Sequence, residues 1–422
     1  MKKCILLAGV LLAVIAVGAS AAELKIFNTL PGSQWLYNNT TQGYNVSALS
    51  DDGTTIFAQV GNKATAITVA TGANLFQLAA NTHSRGFAKW DGNGGSFTWI
   101  TSMGFETTGA NPVKAGWTRQ TGSLGAGNRL RNSAGTIGVT TPAVTNGASI
   151  DFDSGDGWMV GHGMGASLGK GVAWRVAVGN MSSTTAVWEQ AMGTSVSNGG
   201  LNDVSNAGIA VGVHNDPFGS PADMGAVLAD LNSNTAGSMT DIVAYPGADA
   251  NSGAATGISA NAALGATPTG YAGGFFKTSG WRNAFRLDLA LGTGTAATQL
   301  LPIDGSYAGN DEAEVFDVSN NGIAVGYDLA GGVRTAAVWL PGATTAISLE
   351  SLMNETMPAN ITDLLYAVSI TPVPNIDGAY TIAGQAITDA GLKQAFVATI
   401  LPEPATLGFL ALGGLFLSRR RR

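Results

Sequence analysis

Few residues in this 422-residue chain have the types and spacing that chemistry demands. The three histidines, His83, His162 and His214, are far apart and form no HxxxH-type pair, so a metal-dependent hydrolase finds no ligand set. Asp151, Asp153 and Asp156 in DFDSGDG suggest a calcium loop, but an EF-hand places glycine sixth, and here Gly155 is fifth. Turn chemistry is the first reading of these acids, as for Asp203–Gly208 and Asp317–Gly322 in matching slots, with a bound cation as the alternative. Carboxylates cluster at Asp311, Glu312 and Glu314, and at Asp51 and Asp52. A glycosidase needs two of them a set distance apart across a cleft, which spacing alone does not supply. No GxSxG elbow or phosphate-binding glycine loop occurs between a strand and a helix. Among nine tryptophans, Trp117, Trp158 and Trp281 are candidate sugar platforms, whereas Trp174 and Trp339 end strands and read as core. No catalytic residue, metal ligand or cofactor site is therefore assigned.

The elements around these residues are short strands. The plainest stretch, DVSNNGIAVGYDLAGGVRTAAVWLPG from Asp317 to Gly342, has a polar turn, a strand ending in glycine, a polar loop and a returning strand ending in an aromatic. Variants can be followed through marker residues Ser50, Ser102, Asp153, Ser205, Ser259, Ser319 and Ser369. Each marker is followed by a returning strand with a small residue before a bulky one, such as Ala66-Ile67-Thr68, Ala115-Gly116-Trp117, Asn283-Ala284-Phe285 or Ala337-Val338-Trp339. A hairpin cannot bury its own apolar face, so the copies must pack side by side. With a further strand or pair in each interval, four strands per repeat predict an all-β fold, a β-propeller of about seven imperfect blades over residues 46–400. Residues 22–45 carry Leu24–Phe27, a strand that either closes the ring on the last repeat or forms an edge.

Composition agrees with this reading and narrows the partners. There are 59 glycines and only 12% charged residues, as short strands and turns require. Lys2, Lys3 and Arg419–Arg422 lie at the extremes, leaving 15 basic against 28 acidic side chains in residues 23–418. That balance disfavours nucleic acid. Cys4 is the only cysteine, so no disulfide staples the fold.

The two ends are addresses. Residues 1–21 have a basic start, an apolar helix-forming run and Ala19-Ser20-Ala21 as the cleavage site of a secretory signal peptide, the substrate of signal peptidase. Residues 401–422 contain Pro402-Glu403-Pro404, an apolar tract over 405–417 expected as a short helix, and Arg419, Arg420, Arg421 and Arg422. About 13 apolar residues fall short of the roughly 20 of a comfortable membrane span, so the tract is a marginal anchor with its arginines on the cytoplasmic side.

The repeats resemble the extracellular HAF-type repeat, most clearly at Ser205, Ser319 and Ser369. The tail resembles the PEP-CTERM sorting domain in motif, order and placement. That resemblance implies an exosortase, a membrane cysteine protease, acting at Pro402, Glu403 and Pro404, in a Gram-negative bacterium that makes exopolysaccharide. It implies an exported surface or matrix protein, held in the inner membrane only transiently by its tail. The expected function is non-catalytic binding of exopolysaccharide or a surface partner through blade loops. The alternatives are a polysaccharide-acting enzyme with acids in the channel and a structural coat subunit.

Overall fold

The computed structural model describes the strands before Gly200 together with Gly53, and residues 200–401 apart from 216–223, 250–251, 354–356, 390 and 392. Both terminal addresses, with their expected helices, lie outside the described residues, as do Ser102 and its expected returning strand at 115–117; of that interval the antiparallel pair Arg129–Arg131 and Ile137–Thr140 is described. Among the described residues no helix is long and apolar enough to cross a membrane.

The expectation of four strands per unit holds in six antiparallel sheets. The first is Val46–Leu49, Thr55–Gly61, His83–Trp90 and Phe97–Thr101. The second is Val144–Ile150, Asp156–Gly163, Lys170–Ala177 and Trp188–Ala191. The third comprises Gly200–Val204, Ile209–Asn215, Met224–Asp230 and Met239–Asp241. The fourth comprises Gly253–Ile258, Tyr271–Thr278, Trp281–Asp288 and Thr298–Gln299. The fifth comprises Glu312–Val318, Ala324–Ala330, Val333–Trp339 and Ile347–Ser348. The sixth takes Ile361–Ile370, Tyr380–Thr388 and Lys393–Ile400 from the end of the chain and Leu24–Ile26 from its start. In the fifth sheet the two-residue strand Ile347–Ser348 is followed by the helical turn Leu349–Leu352.

One expectation needs correcting in the first sheet. Ala66-Ile67-Thr68 does not lead into its returning strand: Ile67–Thr71 pairs with Asn74–Leu78 in a separate hairpin, and His83–Trp90 returns instead. A β-branched run read singly does not reveal which partner it pairs with.

The polar marker is a turn device. Ser319 donates its backbone N–H to Ile323 O at 2.9 Å, while its hydroxyl accepts from Ile323 N at 3.0 Å. Ser205 does the same with Ile209, at 2.8 and 3.1 Å. Gly208 and Gly322 close these turns at φ of +78° and +84°, a region costly for other residues. In the sixth sheet the bonds belong to Thr371, which pairs with Thr381 at 2.9 and 3.1 Å, so the marker there is Thr371 and not Ser369. Ser369 sits two residues before the turn residue, as Asp203 and Asp317 do, and a longer loop, 372–379, follows Thr371.

Three residues before each marker the first strand bulges, at Asn202, Thr256, Phe316 and Val368. The bulge drives a carbonyl onto the facing strand, where these four sheets have glycine and the first sheet, bulged at Ser47, has Ala58. A Cβ on Gly212, Gly274, Gly326 or Gly384 would stand 1.8 to 2.1 Å from the facing carbonyl oxygen.

Adjacent sheets are stapled by the residues beside these bulges. Asn202 Nδ2 donates to Ala255 O at 2.8 Å, and Thr256 Oγ1 donates to Val315 O from the equivalent position. Asp203 accepts from Val204 N at 2.9 Å and from Ile258 N of the next sheet at 3.0 Å. Asp317 accepts from Val318 N, and across the junction from Ser369 Oγ at 2.7 Å and Ile370 N at 3.0 Å. The buried Arg286 guanidinium of the fourth sheet donates to Gly322 O, Leu340 O and Ala343 O of the fifth, and burial lowers its pKa. Apolar layers fill the space between sheets. Phe285, Trp339 and Phe396 are fully buried there, each contributing roughly 1.5–3 kcal/mol.

The two ends of the repeat array meet. Leu24, Lys25 and Ile26 pair antiparallel with Ala398, Val397 and Phe396. In addition, Gly53 of the first sheet lies against the sixth, where an added Cβ would stand 2.9 Å from Thr381 Oγ1. Gly322 of the fifth sheet sits the same way against the fourth, 2.9 Å from Tyr271 Cζ. Ser50 and Gly53 have the spacing of Ser319 and Gly322, and Thr381 follows its turn as Tyr271 does. The junction between sixth and first sheets therefore repeats the one between fourth and fifth.

Candidate binding site

The groups that stand out are on the hairpins joining second to third strands. Residues 274–285 and 326–337 align without a gap: Gly-Phe with Gly-Tyr, Ser279-Gly280 with Gly331-Gly332, and Trp281-Arg282 with Val333-Arg334. Both tips have two successive positive φ values, +53° and +88° at Ser279 and Gly280, +58° and +85° at Gly331 and Gly332. That is a type I′ turn, which matches strand twist. Ser279 adopts this conformation where Asp249 accepts from its N–H at 3.2 Å and from Gly280 N at 3.0 Å.

Each tip aims an arginine over the aromatic one turn back. Arg282 Cζ lies 4.6 Å from the Phe275 ring centroid, and Arg334 Cζ lies 5.6 Å from that of Tyr327. Arg334 also lies 5.5 Å from the ring of Tyr366 in the sixth sheet. Phe316, Tyr327 and Tyr366 touch one another, with centroids 5.5 to 6.1 Å apart. Burial pushes up both tyrosine pKa values, and the Glu314 carboxylate adds to the shift.

Of the carboxylates singled out by spacing, two reach this cluster. Glu314 Oε2 accepts from Arg282 Nη1 at 2.7 Å, with the glutamate side chain 6% and the arginine 43% exposed. This carboxylate holds the Arg282 pKa above its usual value. Glu312, half-buried, lies two residues earlier on the same strand face. Asp311 does not join them: it accepts from Ala308 N and Gly331 N, tying the loop to the hairpin tip.

The remaining candidates disperse. His83, His162 and His214 stand in strands of three different sheets, and among the described residues no group of three His, Cys, Asp or Glu could hold a metal. Trp339 is core, donating Nε1–H to Leu301 O at 2.8 Å, while Trp281 is 36% exposed beside Arg282. Trp158 and Trp174 are in strands of the second sheet. Trp117, Asp51, Asp52, Asp151, Asp153, Ala19, Ala21, Pro402, Glu403, Pro404 and Arg419–Arg422 lie outside the described residues. Sequence reasoning missed the arginines. The gapless match of 274–285 to 326–337 was the signal that pointed to them.

Asp328, beside Tyr327, is a different kind of group. It is 2% exposed, one oxygen accepts from Ile303 N at 2.9 Å, and the other has no hydrogen-bond partner. Burial raises its pKa, so the folded protein favours the protonated form and the carboxylate costs stability as pH rises through the ordinary aspartate range. Asp328→Asn keeps an acceptor and removes the charge. It should raise stability at pH 7 by about 1 kcal/mol, with the gain vanishing below about pH 4. Thermal melts across that range check both points.

No protein-family model matches the chain, and no curated protein matches it. Among solved structures it is similar to Trypanosoma rangeli sialidase in complex with the inhibitor DANA, at 8% identity and a TM-score of 0.38 over 89% of this chain and 58% of that one. Trypanosoma rangeli sialidase without a named ligand gives 10% identity and a TM-score of 0.38, over 90% and 60% of the two chains. The chain spans about three fifths of the length of those sialidases.

Proposed function

We propose that this chain is an exported, non-catalytic protein of the cell surface or extracellular matrix, folded as a closed β-propeller, which binds exopolysaccharide or a surface component through its blade loops. The closed ring is supported by the pairing of Leu24–Ile26 with the last long strand and by the contact of Gly53 with Thr381. In this reading signal peptidase acts after Ala21. An exosortase recognises Pro402, Glu403 and Pro404, while Arg419–Arg422 hold the tail at the inner membrane until it is cut.

The observation that carries the binding role is the paired Arg282 and Arg334 cluster, an exposed polar surface in a chain whose other described carboxylates mostly brace turns and sheet junctions. Such groups offer a sugar fixed donors and acceptors without a dedicated acid and base pair. Fractionating expressing cells and reading the mature C-terminus by mass spectrometry tests the export half. Matrix-associated protein ending before the arginines is expected, and cytoplasmic protein retaining them would refute it.

A further inference from the structure

The arginine row narrows polysaccharide binding to one class of sugar, a step that rests on the proposed function. Arg334 is exposed, and among the described residues it has no carboxylate within ion-pair distance. Two aromatic rings hold its guanidinium, which lowers the entropy lost when a ligand docks on its fork of donors. Arg282 spends one Nη on Glu314, and its side chain remains 43% exposed.

Register adds an independent observation. Ala284 and Ala336 face Phe275 and Tyr327, and the residue two places before each is Arg282 or Arg334. The fourth and fifth sheets thus place an arginine at one equivalent position, in a chain with an acidic excess over residues 23–418. Glu312 and Glu314 share the face of the fifth sheet with Tyr327. The site therefore offers donors and acceptors in a fixed pattern and is not a simple positive field.

We propose that Arg334 and Arg282 form a subsite for a carboxylated polysaccharide. Arg334 takes the carboxylate of a uronic acid residue, and Glu312 accepts a hydroxyl of the same sugar. A planar guanidinium fits a carboxylate through two parallel hydrogen bonds, and a lysine at the same position cannot reproduce that fork. A polymer bearing a carboxylate on successive sugars can follow the row from sheet to sheet. A phosphate can take the same two hydrogen bonds, and it is the acidic excess of the chain that disfavours nucleic acid.

The test is calorimetric titration of the full-length chain with polygalacturonate, the same polymer after carboxyl reduction, and a DNA fragment. Binding to polygalacturonate is expected, weakened by about tenfold or more on carboxyl reduction, with DNA weaker than the carboxylated polymer. Arg334→Gln should lose about tenfold in affinity with an unchanged melting temperature, and Arg334→Lys should fall between it and the parent chain. Equal affinity for the carboxyl-reduced polymer, or an unaffected Arg334→Gln variant, overturns this inference and leaves polysaccharide binding standing. Failure to bind either polymer overturns both, and preference for DNA overturns the choice of ligand class.

Discussion

Asp317→Ala should cost about 3 kcal/mol of stability and lower the melting temperature by several degrees. Its carboxylate accepts from Val318 N, Ser369 Oγ and Ile370 N, so the substitution strands donors on both sides of the fifth and sixth sheet junction. Each buried donor left without a partner costs roughly 1–3 kcal/mol. Asp311→Ala is the control, since that carboxylate braces an exposed loop and tip, and its removal should cost less than about 1 kcal/mol. Denaturant unfolding of both variants measures the difference. Equal losses would show that the junction bonds carry no special weight.

Gly326→Ala should be more damaging still. One methyl would have its carbon 1.8 Å from Glu314 O, a backbone atom that cannot move without undoing the bulge at Phe316. The strands must separate or the bulge must shift, at a cost of more than about 3 kcal/mol. Gly237→Ala places the same methyl where nothing lies within 4 Å, and its effect should be within about 0.5 kcal/mol. Soluble yield and urea midpoint separate the two. A well-folded Gly326→Ala variant would contradict the assigned register.

The same residues show how far the chain could be read unaided. The hairpin around Ser319 was legible because its turn, its glycine at positive φ and its returning strand are contiguous, and each obeys a local rule. Ala284 and Ala337 were legible as the small residues set before bulky ones on returning strands, and both are fully buried. The marker in the sixth sheet was misplaced because Ser369 fits the motif by type, while the bond that defines the turn is made by Thr371, ten residues from its partner. Ser369 instead occupies the slot of Asp203 and Asp317, and donates to the latter.

Function was harder to read than fold, for a physical reason. Asp203 and Asp317 looked like turn acids, yet each also spans a sheet junction, and spacing within one copy cannot reveal a bond to the next. Asp311, Glu312 and Glu314 looked like one carboxylate group, but strand alternation sends Glu312 and Glu314 to one face while Asp311 braces the hairpin. Arg282 and Arg334 passed unnoticed because a lone arginine after a turn is ordinary. Their equivalence emerges only once the two hairpins are superposed residue by residue.

The proposed closed ring requires the start of the chain to pair with its last long strand, and a cysteine pair asks this directly. Lys25 faces Val397 across the pairing of the first and last strands, within the Cα separation that a disulfide bridges. A Lys25→Cys, Val397→Cys variant with Cys4→Ser carries no other thiol. On mild oxidation the account predicts an intramolecular crosslink in nearly all of the folded monomer, seen as faster migration on a non-reducing gel and reversed by dithiothreitol. A chain that stays uncrosslinked, or links only to other copies, would contradict the closed ring.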